Sequence, residues 1–410
     1  MNCRFCSEPL RTPLIDLFNS PASNSFLSQD QLNEPEVYFP LKVFICENCY
    51  LVQIDEYKKS DAIFNNEYVY FSSYSKSWLE HSRNYTVMMQ KRFSLGKNSS
   101  VIEIASNDGY LLQYFKEMDI PVLGIEPTSN TAKVAIEKGI PSLISFFGTK
   151  LANQLKTENQ QADLVLGNNV LAHVPDIVDF VKGLKIALKP TGVITMEFPH
   201  LMELIKNNQF DTIYHEHFSY LSFYTVERIF RSVGLEMFDV EKLSTHGGSI
   251  RIYAKHIEDN EKEISTNVVE LLREEITWGI TNLSTYAKFK ELAFRIKVDL
   301  LDFLLHCKKG NKSVAAYGAA AKGNTLLNYC GIKNDLIHFV VDLNPNKQGK
   351  FLPGSHIPVV NEQFLVENQP DYVLILPWNL KSEITQQLAY IKKWGGKFVI
   401  PIPSLEILHD

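Results

Sequence analysis

The chain has 410 residues, too many for one ordinary core, so two to three domains are expected. Hydrophobic residues make up 45% and charged residues 21%, which excludes disordered and collagen-like chains. A net charge of −6 gives no basic field for a nucleic acid polymer or an anionic membrane, and no apolar run is long enough to span a bilayer.

The first segment, Met1-Asn2-Cys3-Arg4-Phe5-Cys6, lacks the apolar stretch of a signal peptide, so a cytosolic location is the default expectation. Cys3 with Cys6, and Cys46 with Cys49, form two C-x2-C pairs. Four thiolates at this spacing suit one tetrahedral zinc. Reduced structural thiols are the plain alternative. A redox role is weaker, because no βαβ pattern surrounds either pair. Four sulfur ligands leave no open coordination position, so the ion is expected to be structural. The intervening residues form a lobe of their own, for which Pro21, Pro35 and Pro40 suggest irregular structure.

Aromatic residues crowd positions 51–95, and a helical pattern runs from Trp78 to Phe93. Short apolar runs then alternate with helical ones. The strands expected are Ser100–Ala105, Pro121–Pro127, Ala162–Gly167 and Gly192–Phe198. This order points to an α/β doubly wound, parallel sheet. Residues 260–308 are polar with a helical period, a connecting helix or helix pair. A second α/β series follows, with strands at Ser313–Gly318, Leu336–Val341, Tyr372–Leu376 and Gly396–Ile400.

Ligands of open α/β sheets bind at the carboxyl ends of the strands. The first strand ends Glu103-Ile104-Ala105-Ser106-Asn107-Asp108-Gly109, where acids favour a cationic or hydroxyl-bearing ligand over a bare pyrophosphate. No G-x-G-x-x-G occurs, which argues against NAD or FAD. The second strand ends in Glu126-Pro127, where a carboxylate can take two ribose hydroxyls. Asn168 and Asn169 end the third strand and can meet the base or the amino-acid end of the ligand. The ordered set suits S-adenosylmethionine; a generic α/β domain with polar loops is the alternative.

The string Glu103–Gly109 resembles the E-I-x-x-N-D-G motif of class I methyltransferases. More narrowly, the chain resembles the sugar C-methyltransferases of deoxysugar biosynthesis, which act on nucleotide-linked 4-keto sugars. Tyr317-Gly318-Ala319-Ala320-Ala321-Lys322-Gly323-Asn324, Asp342–Gln348 and Pro353–Val359 are similar to that family's C-terminal motifs. The resemblance implies a zinc lobe at 1–68 held by Cys3, Cys6, Cys46 and Cys49. It implies a class I methyltransferase domain at 69–258 and a helical connector with a C-terminal Rossmann-like domain at 259–410. The cofactor residues expected are Glu103, Ala105, Asn107, Asp108, Glu126, Pro127, Asn168 and Asn169.

The segment Tyr214-His215-Glu216-His217 gathers ionisable groups. A metal site lacks the H-E-x-x-H spacing, and a hydrogen-bonded surface turn is the plain reading. The family resemblance adds a third reading, an acid–base site. It makes His217 the base, with Glu216 positioning the sugar and Tyr214, His173 and Tyr70 lining the pocket. Tyr70 reads equally well as a packing aromatic. Gly318 and Gly323 flank a strand-to-helix turn that can meet phosphate, and Lys322 lies within it. Tyr317, Lys322, Asn324 and Lys347 are therefore the expected contacts to the sugar nucleotide, unless this sheet is a vestigial dinucleotide fold. The runner-up activities are O- or N-methyl transfer on such a sugar, or a non-catalytic zinc-containing binding protein. Oligomeric state is not legible.

Overall fold

The computed structural model describes residues 1–64 and 70–408. Tyr68, Val69 and the lobe boundary placed at 68 lie outside the described residues.

Among the described residues the strands form three sheets. The first is antiparallel and combines β1 (Thr12–Ser20), β2 (Phe39–Ile45) and β3 (Val52–Ile54) with β9 (Ser219–Tyr220). The residues between the cysteine pairs are therefore not irregular, as their prolines suggested. Pro13 and Pro40 sit one residue inside the starts of β1 and β2, where a missing N–H is tolerated. Alternation drives the pairing: Leu41, Val43 and Ile45 of β2 are buried while their neighbours are not.

The second sheet holds β4 (Val101–Ile104), β5 (Val122–Ile125), β6 (Ser142–Leu143), β7 (Ala162–Asn168) and β8 (Leu188–Pro199), all parallel. β10 (Leu235–Leu243) and β11 (Ser249–His256) extend it with antiparallel pairing. The order is β10-β11-β8-β7-β4-β5-β6. The chain runs outward from β4 to β6, then returns through β7 to β8. This places a topological switch point between β4 and β7, where a ligand crevice opens. β4 is buried along its whole length, as a strand covered on both faces must be.

The third sheet has the order β14-β13-β12-β15-β16-β17. Its strands are β12 (Val314–Tyr317), β13 (Val340–Val341), β14 (Val359–Val360), β15 (Tyr372–Ile375), β16 (Lys397–Ile400) and antiparallel β17 (Glu406–Leu408). Its own switch point lies between β12 and β15.

The polar stretch near 260–308 resolves into helices Thr266–Trp278 and Phe289–Lys309. The first buries Val268 and Leu271 against the central sheet, and the second buries Ala293, Ile296 and Leu300 in the core that the first sheet shares with the C-terminal part. Glu275, fully buried on the first helix, accepts the Phe223 and Tyr224 amides at 2.8 and 2.7 Å. It thereby anchors the first turn of helix Phe223–Ser232, whose Ser222 side chain also caps it. No helix among the described residues is long and apolar enough to cross a membrane.

Candidate active site

The four N-terminal cysteines converge: their sulfurs lie within 4.8 Å of one another. Cys3 and Cys49 are 3.5 Å apart, as are Cys6 and Cys46. A tetrahedron with Zn–S bonds of about 2.3 Å has edges of about 3.8 Å, so the group fits a zinc ion. Gln53 Nε2 donates to Cys3 Sγ at 3.1 Å, an outer contact that orients the ligand. The lobe is fastened to its surroundings by Arg4, which donates to Ile54 O and Pro175 O, each at 2.6 Å.

The loop after β4 turns sharply, with positive φ at Ala105, Asn107 and Gly109. Gly109 has φ 75°, and a Cβ there would press on Ile140 Cδ1 at 2.4 Å and Ala135 Cβ at 3.2 Å, so any other residue is strained. Asn107 holds this loop from both ends of its amide. Its Oδ1 accepts from Ser72 N at 2.9 Å, and its Nδ2 donates to Tyr70 O at 3.2 Å. The chain at Tyr70–Ser72 is thus clasped over the β4 loop. Glu126 accepts from Asn107 N at 2.9 Å and from Thr128 N and Oγ1 at 2.8 and 2.5 Å. Pro127 follows it directly.

Several polar atoms here are sealed from water without a partner. Both Glu103 oxygens lack a hydrogen bond of standard geometry, although Tyr110 stands beside them. Both amide atoms of Asn168, Asn169 Oδ1 and Asp108 Oδ1 are likewise unpaired. Burial pushes the Glu103 carboxyl well above its usual range, and Asp108 and Glu126 add to the rise. Orphaned acceptors and clustered acids at a sheet's switch point fit a ligand that brings hydroxyls, an amine and positive charge.

The segment Phe210–Tyr220 is held by all three parts of the fold. Its last two residues are β9, paired with β3 of the zinc lobe. Asn24 Nδ2 donates to Glu216 Oε1 at 2.7 Å. From the C-terminal side, Thr325 Oγ1 donates to Ile213 O at 2.8 Å and Trp378 Nε1 to Asp211 Oδ2 at 2.7 Å. His217 lies inside this grip. Its Nδ1 contacts Thr212 O at 2.9 Å, and a carbonyl only accepts, so the ring proton is on Nδ1. Nε2 then carries a lone pair, which the Tyr214 hydroxyl meets at 2.8 Å. The His173 ring stands edge-on to His217, with centroids 4.6 Å apart. Burial, followed by the nearby His173, holds the His217 pKa well below the usual imidazole value. Burial likewise lowers His173 to about 4. Burial lifts Glu216 to about 7, against the pull of Asn24, Lys58 and Lys347.

His215 belongs elsewhere. Its ring packs on Phe39, and its Nε2 donates to Pro40 O at 3.2 Å. Tyr70 is 46% exposed, with its carbonyl held by Asn107 and its side chain near enough to Tyr110 and Tyr214 to interact electrostatically with both.

The C-terminal candidates lie around the carboxyl end of β12 and the helix that follows it. Asn324 Nδ2 donates to Ser23 O at 2.6 Å, leaving a buried, unpaired Oδ1. Lys347 Nζ donates to Ala319 O at 2.8 Å and lies over the Phe26 ring. Tyr317 ends β12, and its hydroxyl accepts from Gln387 at 2.8 Å. Lys322 lies at the opening of helix Ala321–Cys330, donates to Asn379 Oδ1 at 2.7 Å and sits over the Trp378 ring. It interacts electrostatically with Asp211, His217 and His246, so its charge is felt at the segment Phe210–Tyr220.

Comparison with known proteins agrees with this layout. Residues 3–64 match a zinc binding domain, residues 79–240 a methyltransferase domain, and residues 244–403 a C-methyltransferase C-terminal domain. The sequence is 34% identical to C-methyltransferase NovU of Streptomyces niveus over 406 residues, covering 99% of this chain and 96% of that one. The chain belongs to the C-methyltransferase family. Solved structures similar to it include an S-adenosylmethionine-dependent methyltransferase from Clostridium acetobutylicum, with TM-score 0.36 and 13% identity over 43% of this chain and 92% of that one. The CcbJ methyltransferase from Streptomyces caelestis gives TM-score 0.34 and 10% identity, covering 43% and 89%.

As a C-methyltransferase, the protein is an S-adenosylmethionine-dependent enzyme with a class I methyltransferase sheet and a zinc lobe. Membership decides for carbon over oxygen or nitrogen as the atom methylated. The sequence reading missed Asn24, Asp211, His246 and Trp378. Asn24 and Trp378 lie far along the chain from Glu216 and Asp211, and no local motif signals such pairs. His246 had a local signal, since it directly precedes Gly247-Gly248.

Proposed function

We propose that this C-methyltransferase acts on a nucleotide-diphosphate-linked 4-keto-deoxysugar and methylates a ring carbon beside the ketone. The observation that carries this reading is the uncharged His217, with its proton fixed on Nδ1 and its Nε2 lone pair turned to Tyr214. Carbon becomes nucleophilic only after losing a proton, and a neighbouring ketone makes that loss possible by spreading charge onto oxygen. A neutral imidazole in a buried site is suited to take it. Tyr214, on the same lone pair, relays the proton: its oxygen receives one as its own moves to Nε2. When bound, S-adenosylmethionine supplies the methyl group on an electrophilic sulfonium.

The remaining residues are assigned accordingly. Glu103, Ala105, Asn107, Asp108, Glu126, Pro127, Asn168 and Asn169 hold the cofactor. Glu216 and His173 hold the sugar against His217, and Tyr70 closes the gap between sugar and cofactor. Lys322 supplies positive potential where the enolate oxygen develops. The first turn of helix Ala321–Cys330 has no side-chain cap, so its amides are available to phosphate, with Asn324, Lys347 and Tyr317 beside it. Binding energy from the remote nucleotide orients the sugar. Mass spectrometry of products from a panel of nucleotide-linked keto-sugars tests the substrate class. No methylated product from any 4-keto member would overturn it.

Two outcomes are expected at the flanks of the site. Glu126→Ala removes a carboxylate that also braces the β4 loop. Hydrogen bonds to a charged group contribute about 1.5–3 kcal/mol, so the Kd for S-adenosylhomocysteine rises roughly 10- to 100-fold. Calorimetry checks this, with sugar-nucleotide affinity changing far less. The second outcome concerns pH. Glu216, raised to about 7, loses its charge as pH falls through neutrality, whereas His217 stays unprotonated in that window. Single-turnover methyl transfer therefore falls as pH drops through about 7. In Glu216→Gln the rate is lower but flat across that range; a persisting limb would place the titration on another group.

A further inference from the structure

We propose that His246 is a positioning residue that sets which end of the Asn169 carboxamide faces the cofactor. An asparagine amide has a donating and an accepting end, and hydrogen bonding decides which is presented to a ligand. Asn169 Nδ2 lies 2.8 Å from His246 Nε2. The NH2 group donates there, so the imidazole nitrogen accepts. The other end, Asn169 Oδ1, is buried and unpaired. The pair thus leaves a bare acceptor just past the carboxyl end of β7.

Three further observations show that the histidine is held in place. His246 has φ 53° and ψ 20°, a left-handed backbone that is unfavourable for a histidine. Its loop is pinned on both sides: Thr245 Oγ1 donates to Glu197 Oε1 at 2.9 Å, and Gln209 Nε2 to Gly247 O at 2.7 Å. Its ring stands edge-on to Trp78, with centroids 5.2 Å apart. Burial lowers the His246 pKa to about 4, which keeps Nε2 available as an acceptor at neutral pH. The loop also reaches the other half of the reaction, because Gly247 lies against the Trp378 ring that carries Lys322. His246 therefore ties the donor side of the crevice to the acceptor side.

The proposal rests on the assignment of Asn169 to the cofactor, and the test separates the two. Calorimetry with S-adenosylhomocysteine and the full-length zinc-loaded protein needs no sugar substrate. Asn169→Ala is expected to weaken binding at least 10-fold; unchanged binding would overturn the Asn169 assignment itself. His246→Asn tolerates the left-handed backbone but falls short of Asn169, and should weaken binding 5- to 20-fold. His246→Gln, long enough to offer an amide oxygen at the Nε2 position, should recover most of that loss. In an Asn169→Ala background, His246→Asn should add nothing. Additive losses, or equal affinity for the Asn and Gln variants, would overturn the positioning role. Solvent deuterium exchange into the sugar should survive in His246→Asn while methyl transfer falls, since His217 is intact. Equal loss of both would move His246 into the acid–base machinery and end the proposal.

Discussion

His217→Ala is expected to abolish incorporation of solvent deuterium at the sugar carbon beside the ketone, and with it methyl transfer. General-base catalysis contributes roughly 10²- to 10⁴-fold, so kcat falls by about that factor. Affinity for S-adenosylhomocysteine should remain within a few-fold, because the residues proposed to hold the cofactor lie on the loops of β4, β5 and β7. The geometry adds a second arm. Tyr214 occupies the lone pair that must receive the proton. A relay predicts that Tyr214→Phe also loses exchange; retained exchange in that variant would show that His217 acts directly. Wild-type exchange in the absence of methyl donor is the control. If His217→Ala exchanges at the wild-type rate, the base lies elsewhere in the segment.

Cys46→Ser is expected to remove zinc and to stop methyl transfer while S-adenosylhomocysteine still binds. The ion has no open position in a four-sulfur set, so its effect must be mechanical. Cys46 directly follows β2, and Cys49 lies three residues before β3. β3 pairs with β9, which carries the residues just after His217. Releasing the ion therefore loosens the strand that fixes the segment bearing His217. Metal analysis, calorimetry and single-turnover rates on one preparation check the three parts. Wild-type turnover in a zinc-free sample would separate the lobe from the reaction.

Much of this was legible because it is local. The apolar runs of β4, β7 and β12 sit between turn residues, and each carries at its carboxyl end the loop proposed to meet a ligand. The C-x2-C pairs state their own geometry. The rest depends on partners distant in sequence. β1 and β2 were hidden because prolines near their starts look like breakers, while the alternation that pairs them is short. β9 has two residues, too few for any period to show. Its identity comes from β3, more than a hundred residues earlier in the chain. Glu216 is tuned by Asn24 and Asp211 by Trp378, contacts that exist only once three sheets have met. The neighbouring histidines diverge for the same reason: one letter apart from Glu216 on either side, His215 packs on Phe39 and His217 on His173.

The pairing of Val52 with Tyr220 and of Gln53 with Ser219 bears on how this enzyme can be recombined with its relatives. A chimera cut after residue 64 would exchange one edge of a shared ladder and keep the other. The transplantable unit is discontinuous: the metal-bearing head travels with the stretch from 210 to 222, and a library built on contiguous crossovers would mostly yield mismatched seams.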